Sequence, residues 1–219
     1  MYKTTELLDL SKTIASELFE GREYPWEVLD DIKDFILKLG PTLDPEKYDH
    51  AAENIWIAKD AMVFPSAFIA GPCIIDSGAE IRHCAFIRGS AIVGKNCVVG
   101  NSVELKNVVL FDNVQTPHYN YVGDSVLGYK AHMGAGSITS NVKSDKTLVV
   151  VKSGDEAIPT GRKKFGAILG DNVEVGCNSV LNPGTVVGRS SNIYPTSSVR
   201  GVVPENSIYK SKDQIVTKK

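Results

Sequence analysis

The stretch Ile57-Ala-Lys-Asp-Ala-Met-Val63-Phe-Pro-Ser-Ala-Phe-Ile69-Ala-Gly-Pro-Cys-Ile-Ile75 places a branched aliphatic residue at every sixth position, and this spacing continues without a gap to Leu105. A second column of small or slim residues, four positions after each aliphatic, runs from Ala61 to Val103. An α-helix would require a period of about 3.6 residues, and an isolated strand a period of about 2. Period six with proline and glycine between the repeats predicts a hexapeptide-repeat solenoid, in which each hexad contributes one short strand and one corner.

The repeat changes phase after Leu105 and becomes regular again from Leu169 to Val199. The looser positions between the two regular blocks are Leu110, Thr116, Val122, Leu127, Met133 and Thr139. A segment of about 142–167 fits no hexad, and long excursions from a repeat usually carry function or are mobile. We therefore predict a mainly β protein whose residues 55–209 form a left-handed parallel β-helix with this segment inserted.

The first 54 residues lack the hexad spacing and predict two amphipathic helices. The first helical stripe ends at Gly21 and contains Leu7, Leu10, Ile14 and Leu18. Pro25 in a first turn, apolar residues up to Leu39 and a Gly40-Pro41 stop predict the second helix. Because a solenoid exposes an apolar end, the simplest interpretation of residues 1–54 is an N-terminal α-helical cap, with a partner-binding helical pair as the alternative.

Composition argues against several classes of function. The sequence has 24 basic and 26 acidic residues, so a net charge of -2 gives the whole chain no electrostatic case for nucleic acid or an acidic membrane. No apolar stretch reaches the ~20 residues of a membrane span, and no signal peptide is apparent. Four cysteines without a Cys-x-x-Cys pair favour a reduced, cytoplasmic protein in which Cys73 and Cys97 are small core residues. Residues 210–219 predict a charged C-terminal tail.

Two cations eighteen residues apart, Arg88 and Lys106, predict an anion site. Three hexads make one coil, so residues with this spacing stack on adjacent coils ~4.8 Å apart. Cations held this closely repel each other unless an anion lies between them, and phosphate suits that position. Two solvated side chains that bend apart are the alternative interpretation.

The polar and aromatic segment Thr116-Pro-His118-Tyr-Asn-Tyr121 replaces the next ordinary hexad. Histidine can exchange a proton near neutral pH, as a general base must, although a lone histidine is more often structural. The position of His118 beside the phase change and the cationic pair favours a function. Met133-Gly-Ala135-Gly-Ser follows, and its glycines allow a ligand to approach a backbone N–H closely.

These segments resemble the acetyltransferase domain of bacterial bifunctional UDP-N-acetylglucosamine pyrophosphorylase/glucosamine-1-phosphate N-acetyltransferase. The resemblance is carried by Arg88-Gly-Ser, Gly100-Asn-Ser-Val-Glu104-Leu-Lys106, His118-Tyr-Asn-Tyr121-Val-Gly-Asp124 and Gly134-Ala-Gly-Ser-Ile-Thr-Ser-Asn141. The stretch Gly161-Arg-Lys-Lys-Phe-Gly-Ala-Ile-Leu-Gly-Asp171 is closer to the archaeal sugar-1-phosphate nucleotidylyltransferase/acetyltransferases. The similarity covers roughly residues 55–212.

The resemblance implies an acetyl-CoA-dependent N-acetyltransferase that acts on an amino-sugar 1-phosphate, either glucosamine-1-phosphate or galactosamine-1-phosphate. The implied catalytic residues are His118, the general base, and Glu104, a carboxylate near that base. The implied substrate-binding residues are Arg88, Lys106, Tyr121, His132 and Asn141, the last supplied by a neighbouring subunit. The implied acetyl-CoA contacts are Ala135, through its backbone N–H, with Cys177, Pro195 and Lys212. The family also implies a homotrimer with its active sites in the grooves between β-helices, and no metal.

The resemblance does not extend to the nucleotidyltransferase half of those proteins. Nothing in residues 1–54 resembles its glycine-rich nucleotide loop, so we expect no sugar nucleotidyl transfer and a separate nucleotidyltransferase as partner. Direct attack of an amine on the thioester also needs no cysteine nucleophile. His132, Cys177 and Pro195 differ from the bacterial residues, and Val142-Lys-Ser-Asp replaces an expected Asn-Tyr-Asp-Gly. These departures leave both the acceptor sugar and activity itself open.

Three rival functions remain at this point. The chain could be a non-catalytic hexapeptide-repeat scaffold or a nucleotide-sugar-binding regulator that keeps the fold. It could transfer an acyl group to a different amino sugar or to an alcohol. A trimeric zinc enzyme similar to the γ-class carbonic anhydrases would need a closely spaced histidine pair, and the four histidines at 50, 83, 118 and 132 supply none.

Overall fold

The computed structural model describes residues 1–218, and within them the chain is mainly β. The α-helices are α1 (Thr4–Leu7) and α2 (Ile32–Leu39), and 3₁₀ turns cover Leu10–Lys12, Ser16–Phe19, Pro25–Asp30 and Gly40–Thr42. The strands β1 to β25 are, in chain order, Tyr48–Ala52, Ile55–Ala58, Met62–Val63, Phe68–Ile69, Cys73–Ile75, Glu80–Ile81, Phe86–Ile87, Ala91–Val93, Val98–Asn101, Glu104–Leu110, Gln115–His118, Tyr121–Leu127, His132–Met133, Ile138–Thr139, Val150–Ser153, Glu156–Pro159, Ala167–Leu169, Glu174–Val175, Val180–Leu181, Thr185–Val187, Asn192–Ile193, Ser198–Val199, Val202–Val203, Ser207–Ser211 and Gln214–Thr217.

Short parallel strands stack into the three sides of a prism, which confirms the predicted left-handed parallel β-helix. Side A consists of β2, β5, β8, β17, β20 and β23 with the second halves of β10 and β12. Side B consists of β3, β6, β9, β11, β13, β18, β21 and β24. Side C consists of β4, β7, β14, β19 and β22 with the first halves of β10 and β12. Because β10 and β12 each pass around a corner, sides A and C belong to one 14-stranded sheet.

The predicted change of phase is a shortening of two successive coils by one residue each. Ile75 pairs with Val93 at a spacing of eighteen, whereas Val93 pairs with Leu110 and Leu110 with Leu127 at spacings of seventeen. All four side chains are fully buried inside the prism. The inward column of the core therefore continues through the irregular coils, and only their corners are shorter.

Side A carries a second apolar column that points outward. Cys73 and Ile75 face the prism interior, so the side chain of Ile74 between them faces away from it. The equivalent outward residues are also fully buried, and they are Ile92, Val109, Val126, Ile168 and Val186. The N-terminal segment covers this column, since α2 packs on β8 and β10 and the turn Pro25–Asp30 packs on β12. The N-terminal helices thus lie along a flank of the solenoid instead of over its first coil.

The first predicted helix is not continuous, and its backbone contacts explain why. The carbonyl of Leu7 accepts a hydrogen bond from the N–H of Asp171 at 3.0 Å, and the carbonyl of Lys12 accepts one from Asp112 at 2.9 Å. A backbone that serves the solenoid in this way cannot also close successive helical turns. The second helix is confirmed from Ile32, and it ends at Gly40 as predicted.

Antiparallel strands flank the two ends of the solenoid. β1 (Tyr48–Ala52), which lies within the predicted helical cap of residues 1–54, pairs with β2 beside the first coil. β25 (Gln214–Thr217) pairs with β24 at the last coil, so the predicted loose tail is largely a strand that extends side B. The final residue of that tail, Lys219, lies outside the described residues. Each added strand gives its neighbour the hydrogen-bond partners that an open edge would lack.

The inserted segment forms the hairpin β15–β16 and packs on the N-terminal segment. Phe165 is fully buried, and its ring centroid lies 5.8 Å from that of Trp26. Arg162 forms an ion pair with Asp30 and donates to the carbonyl of Glu27 at 3.0 Å. Arg162, a residue of the inserted segment, therefore joins two parts of the fold.

Two further expectations can be compared with the structure. Cys73 and Cys97 are fully buried, which confirms their interpretation as core residues, and burial raises the pKa of the Cys73 thiol to about 12. Within residues 1–218, no helix combines the length and the apolar character that crossing a bilayer requires.

Replacement of Ile32 by alanine tests whether the flank is part of the core. Ile32 is fully buried, so Ile32→Ala should lower the free energy of unfolding by about 2–5 kcal/mol, as expected for a truncated core aliphatic. Lys33→Ala, on the exposed face of the same helix, should change it by less than about 0.5 kcal/mol. Urea unfolding of both variants gives the comparison, and equal small losses would show that the flank contributes little.

Candidate functional site

Side C presents a polar surface at the coils of β7, β10 and β12. Glu104 and Tyr121 are register partners on adjacent coils, and both point outward because Leu105 and Val122 beside them are buried. Arg88 and Lys106 follow at the margin toward side A, where the N–H of Arg88 donates to the carbonyl of Leu105 at 2.8 Å. The predicted cations therefore lie on the same side of the prism and on neighbouring coils.

Each of these cations is already paired with a carboxylate. Arg88 Nη1 lies 2.7 Å from Glu104 Oε1, and Lys106 Nζ lies 2.9 Å from Asp124 Oδ1 and 3.1 Å from Asp124 Oδ2. These carboxylates offset the repulsion between the cations, so the spacing argument for a bound anion does not hold by itself. The Arg88 side chain is 46% exposed, which leaves part of its guanidinium open to a ligand.

Asp124 is the residue of this cluster that the sequence analysis did not single out. Its side chain is only 5% exposed, and besides Lys106 it accepts hydrogen bonds from the side-chain amides of Asn107 and Asn141. Asp124 follows Lys106 by eighteen residues, but this coil is one residue shorter and the register partner of Lys106 is Gly123, so the eighteen-residue rule does not point to Asp124. The carboxylate fixes the ammonium of Lys106 and the amide of Asn141 in one arrangement.

Tyr121 and Asn141 complete this group within a single chain. Asn141 Nδ2 donates to the Tyr121 hydroxyl at 3.1 Å, so Asn141 contacts its own subunit here. Burial raises the pKa of Tyr121, and the nearby charges of Asp124 and Glu104 raise it further. The phenol therefore stays neutral and can donate a hydrogen bond to a ligand throughout the physiological pH range.

A second column of predicted residues lies at the corner between sides B and C. The N–H of Gly136 donates to the carbonyl of His118 at 3.0 Å, and that of Asn178 donates to the carbonyl of Ala135 at 2.8 Å. The next coil repeats the pattern with Cys177, whose carbonyl accepts from Thr196 at 2.8 Å. The corner column, as we name it, consists of His118, Ala135, Cys177 and Pro195. The structure thus brings together residues that are separated by up to 77 positions in the sequence.

The two lower members of the corner column present free polar groups. His118 is exposed, and its ring has no hydrogen-bond partner within residues 1–218. The N–H of Ala135 also has no acceptor among the described residues. The N–H groups of its neighbours Gly134 and Gly136, by contrast, donate to the carbonyls of Val175 and His118. Glu104 binds Arg88 and makes no hydrogen bond to His118 among the described residues.

Two predicted site residues lie apart from both groups. His132 belongs to side B, and its Nδ1 lies 2.7 Å from Glu174 Oε2. Lys212 lies in the turn between β24 and β25 at the last coil, where it lines a cavity of about 520 Å³. Three more basic residues line the same cavity: Lys143, Lys152 and Arg200.

Residues 1–218 contain no group of three or more His, Cys, Asp or Glu side chains arranged to hold a metal ion. An accessible imidazole, an unbound backbone N–H one coil above it, and a cation-bearing polar surface on the adjoining side form the candidate site. These groups suit proton removal, stabilisation of a developing oxyanion and binding of an anionic ligand.

Comparison with known proteins gives a consistent family. A model of the GMPPB C-terminal domain matches residues 69–191, which is more than half of the chain. Bifunctional protein GlmU of Methanococcus maripaludis is 33% identical over 220 residues, covering 98% of this chain and 53% of the relative. The bifunctional sugar-1-phosphate nucleotidylyltransferase/acetyltransferase of Sulfurisphaera tokodaii is 32% identical over 192 residues, which cover 85% of this chain and 47% of the relative. The chain thus spans about half the length of these curated relatives.

A solved structure similar to this chain is that of a mutant of AntD, an N-acyltransferase from Bacillus cereus, in complex with dTDP and coenzyme A. It is 18% identical, with a TM-score of 0.40, and the match covers 76% of this chain and 81% of that one.

The corner that carries His118 depends on a close approach at Gly100, in the coil below. A Cβ at Gly100 would lie 1.6 Å from the carbonyl oxygen of Pro117, next to His118. Gly100→Ala should therefore displace this corner and lower the free energy of unfolding by about 3 kcal/mol. Gly154→Ala, where a Cβ meets nothing within 4 Å, should cost about 1 kcal/mol through its positive φ alone. Equal losses in urea unfolding would contradict the close approach.

Proposed function

Because the chain belongs to the GMPPB C-terminal domain family, we propose that it is an acetyl-CoA-dependent N-acetyltransferase acting on an amino-sugar 1-phosphate. The observation that carries this proposal is the juxtaposition of the His118 imidazole and the unbound N–H of Ala135 on adjacent coils of one corner. The names of the relatives, which include acetyltransferase activity, support the same reaction class.

His118 acts in this proposal as the general base. An amine attacks a thioester only in its neutral form, so a base must accept the proton as the carbon–nitrogen bond forms. The ring of His118 is exposed and is not committed to another residue of the described chain. A ligand that lies on Glu104 and Tyr121 would come beside His118, which is at the edge of side C.

Ala135 supplies the second requirement of acyl transfer. As the amine adds to the carbonyl carbon, the thioester oxygen gains negative charge and needs a fixed hydrogen-bond donor. The backbone N–H of Ala135 is such a donor, and the glycines on both sides leave it accessible. Collapse of the tetrahedral intermediate then breaks the carbon–sulfur bond, the amide forms, and the thiolate takes up a proton. No covalent enzyme intermediate is required, because amine and thioester are held side by side.

The acceptor lies on side C, with its phosphate toward Arg88 and Lys106. A carboxylate neutralises each of the two cations, so net charge contributes little to phosphate binding. The phosphate is bound mainly by hydrogen bonds from the remaining N–H groups of Arg88 and Lys106 and from the Tyr121 hydroxyl. Asn141 and Asp124 hold Lys106 and Tyr121 in place for this contact.

The donor follows the corner column toward the last coil. Cys177 and Pro195 continue the column above Ala135, and Lys212 lies beyond them beside a basic cavity. The rise from Ala135 to the last coil is three spacings of ~4.8 Å, or roughly 14 Å, which an extended pantetheine arm can span. The phosphates of the coenzyme are then placed near Lys212, Arg200 and Lys152. In a homotrimer, a neighbouring prism would close this groove, and its side B would present His132.

Replacement of His118 tests the proposed base. His118→Ala should lower kcat for thiol release from acetyl-CoA with glucosamine-1-phosphate or galactosamine-1-phosphate by about 10²-fold or more. The matched control is His83→Ala, which removes a histidine from the equivalent corner position two coils below and should stay within about twofold of wild type. An unimpaired His118→Ala enzyme would remove this residue from the mechanism. A folded wild type without turnover on any amino sugar would instead favour a non-catalytic scaffold.

Replacement of Lys106 tests the proposed phosphate contact. Loss of one partner of a buried ion pair leaves the other charge unpaired, so Lys106→Gln is combined with Asp124→Asn. The double variant should raise KM for the phosphorylated acceptor by about tenfold or more, the value of a charge-assisted hydrogen bond. In the double variant, KM for acetyl-CoA should change by less than about twofold. The control is Lys130→Gln, at an exposed lysine, which should change KM for either substrate by less than about twofold. Equal effects on both substrates would contradict a phosphate role.

A further inference from the structure

A cavity of about 670 Å³ lies away from side C, between the N-terminal segment and the first coils of side A. One wall is apolar and contains Ile14, Leu39 and Leu43. The opposite wall belongs to the solenoid and contains Asp60, Asp76 and Ser77, with lysines at its margin. The volume is within the range of about 300–1,000 Å³ that small-molecule sites occupy.

Asp76 has an incompletely satisfied carboxylate at this cavity. The residue is fully buried, and its Oδ1 accepts hydrogen bonds from the Tyr48 hydroxyl at 2.5 Å and from the N–H of Ser77 at 2.7 Å. Its Oδ2 is buried without any partner among the described residues. An ionised carboxylate only accepts hydrogen bonds, and leaving one of its oxygens without a donor is costly. A hydrogen-bond donor on a ligand in the cavity that Asp76 lines would supply the missing partner.

The lysines at the margin of the cavity indicate a second property of the ligand, namely a negatively charged group. Ile57, Ile75 and Val93 stack on successive coils, so Lys59, Ser77 and Lys95 form one column two residues further along. Within residues 1–218, neither Lys59 nor Lys95 has a carboxylate within 4.0 Å, whereas Lys47 pairs with Asp44 at 3.7 Å. Two unpaired ammonium groups on either side of a serine suit an anionic group of a ligand.

Two other carboxylates of the cavity, Asp60 and Asp44, are already engaged, and a third, Glu46, is exposed to solvent. Asp60 Oδ2 accepts from the Ser77 hydroxyl at 2.6 Å, and Asp60 Oδ1 accepts from the N–H of Gly78 at 3.3 Å. Asp44 accepts from the N–H of Glu46 at 3.0 Å and pairs with Lys47. Asp76 is thus the carboxylate of this wall with an open acceptor.

We propose that this cavity is a nucleotide-binding site separate from side C. A nucleotide carries a group of each kind that the cavity calls for: an N–H donor on the base for Asp76 Oδ2, a flat ring for Leu39 and Leu43, and a phosphate for Lys59 and Lys95. Residues of the N-terminal segment form one wall and the first coils form the other, so the bound ligand joins the flank to the solenoid. The site does not depend on the proposed acetyltransferase activity.

Isothermal titration calorimetry of the full chain with GMP, AMP, CMP and UMP tests this site. At least one of the four should bind with a Kd below about 100 µM, equivalent to roughly 5.5 kcal/mol. Asp76→Asn should weaken that binding by about tenfold or more, because it replaces a charged acceptor. Asp49→Asn, a neighbouring exposed carboxylate on β1 that does not line the cavity, should leave it unchanged.

If Asp76→Asn does not fold, other variants and ligands test the same site. Lys59→Gln with Lys95→Gln should weaken binding of the nucleotide but not of its nucleoside, and ribose 5-phosphate alone should bind much more weakly than the nucleotide. The Lys106→Gln/Asp124→Asn protein should bind the nucleotide as wild type does. Absence of binding by all four nucleotides at about 1 mM would overturn the proposal, since a lysine or solvent would then satisfy Asp76. Loss of binding in the Lys106 variant, with Asp76→Asn unaffected, would overturn it by assigning the nucleotide to side C.

Discussion

Everything in this molecule depends on the register in which one coil stacks on the next. Parallel backbone hydrogen bonds hold successive coils together, and the buried aliphatic columns prevent a slip, because a shift by one residue would turn every core side chain outward. Residues at the same position of neighbouring coils must therefore form columns. The residues of a functional site in such a fold come from these columns, so they lie far apart in sequence and close together in space.

The two shortened coils illustrate how this constraint is used. Leu110 and Leu127 keep the inward register although each coil has lost one residue. The missing residues are lost within β10 and β12, at the corner between sides C and A, whereas the hexad of His118 from Thr116 to Val122 keeps its six residues. The hydrogen bond from Gly136 then places the His118 corner directly below Ala135. The shortening therefore acts at the margin of side C where Lys106 and Asp124 form their ion pair, and the corner column stays in register.

Electrostatics within side C differ from a simple cationic pocket. Arg88 and Lys106 each have a carboxylate partner, so the cluster carries little net charge and is stable without a ligand. Such preorganisation lowers the cost of fixing side chains when a ligand binds, while the exposed part of Arg88 remains available. An anionic substrate would be selected here by the geometry of the hydrogen-bond donors on side C. The hydrogen bonds among Tyr121, Asn141 and Asp124 fix that geometry.

The sequence predicted the solenoid, the inserted segment and the placement of Arg88 beside Lys106, because a period of six is visible in the linear chain. It did not predict that the N-terminal segment covers side A, although Ile74, Ile92 and Val109 already form an outward aliphatic column at nearly the spacing of one coil. The pairing of Lys106 with Asp124 could not be predicted from the eighteen-residue spacing, because the shortened coil makes Gly123 the register partner of Lys106. Contacts such as Leu7 with Asp171 join distant segments without any local pattern. The cytoplasmic location and the homotrimer stay predictions.

A crystal structure of the protein bound to coenzyme A tests the central claim most directly, namely that one corner column arranges the acyl donor beside the base. The account predicts that the thiol end of the pantetheine arm lies against the Ala135 N–H, within reach of His118, and that the arm follows Cys177 and Pro195 toward Lys212. A coenzyme that binds along another side of the prism, with its thiol away from His118, would contradict it.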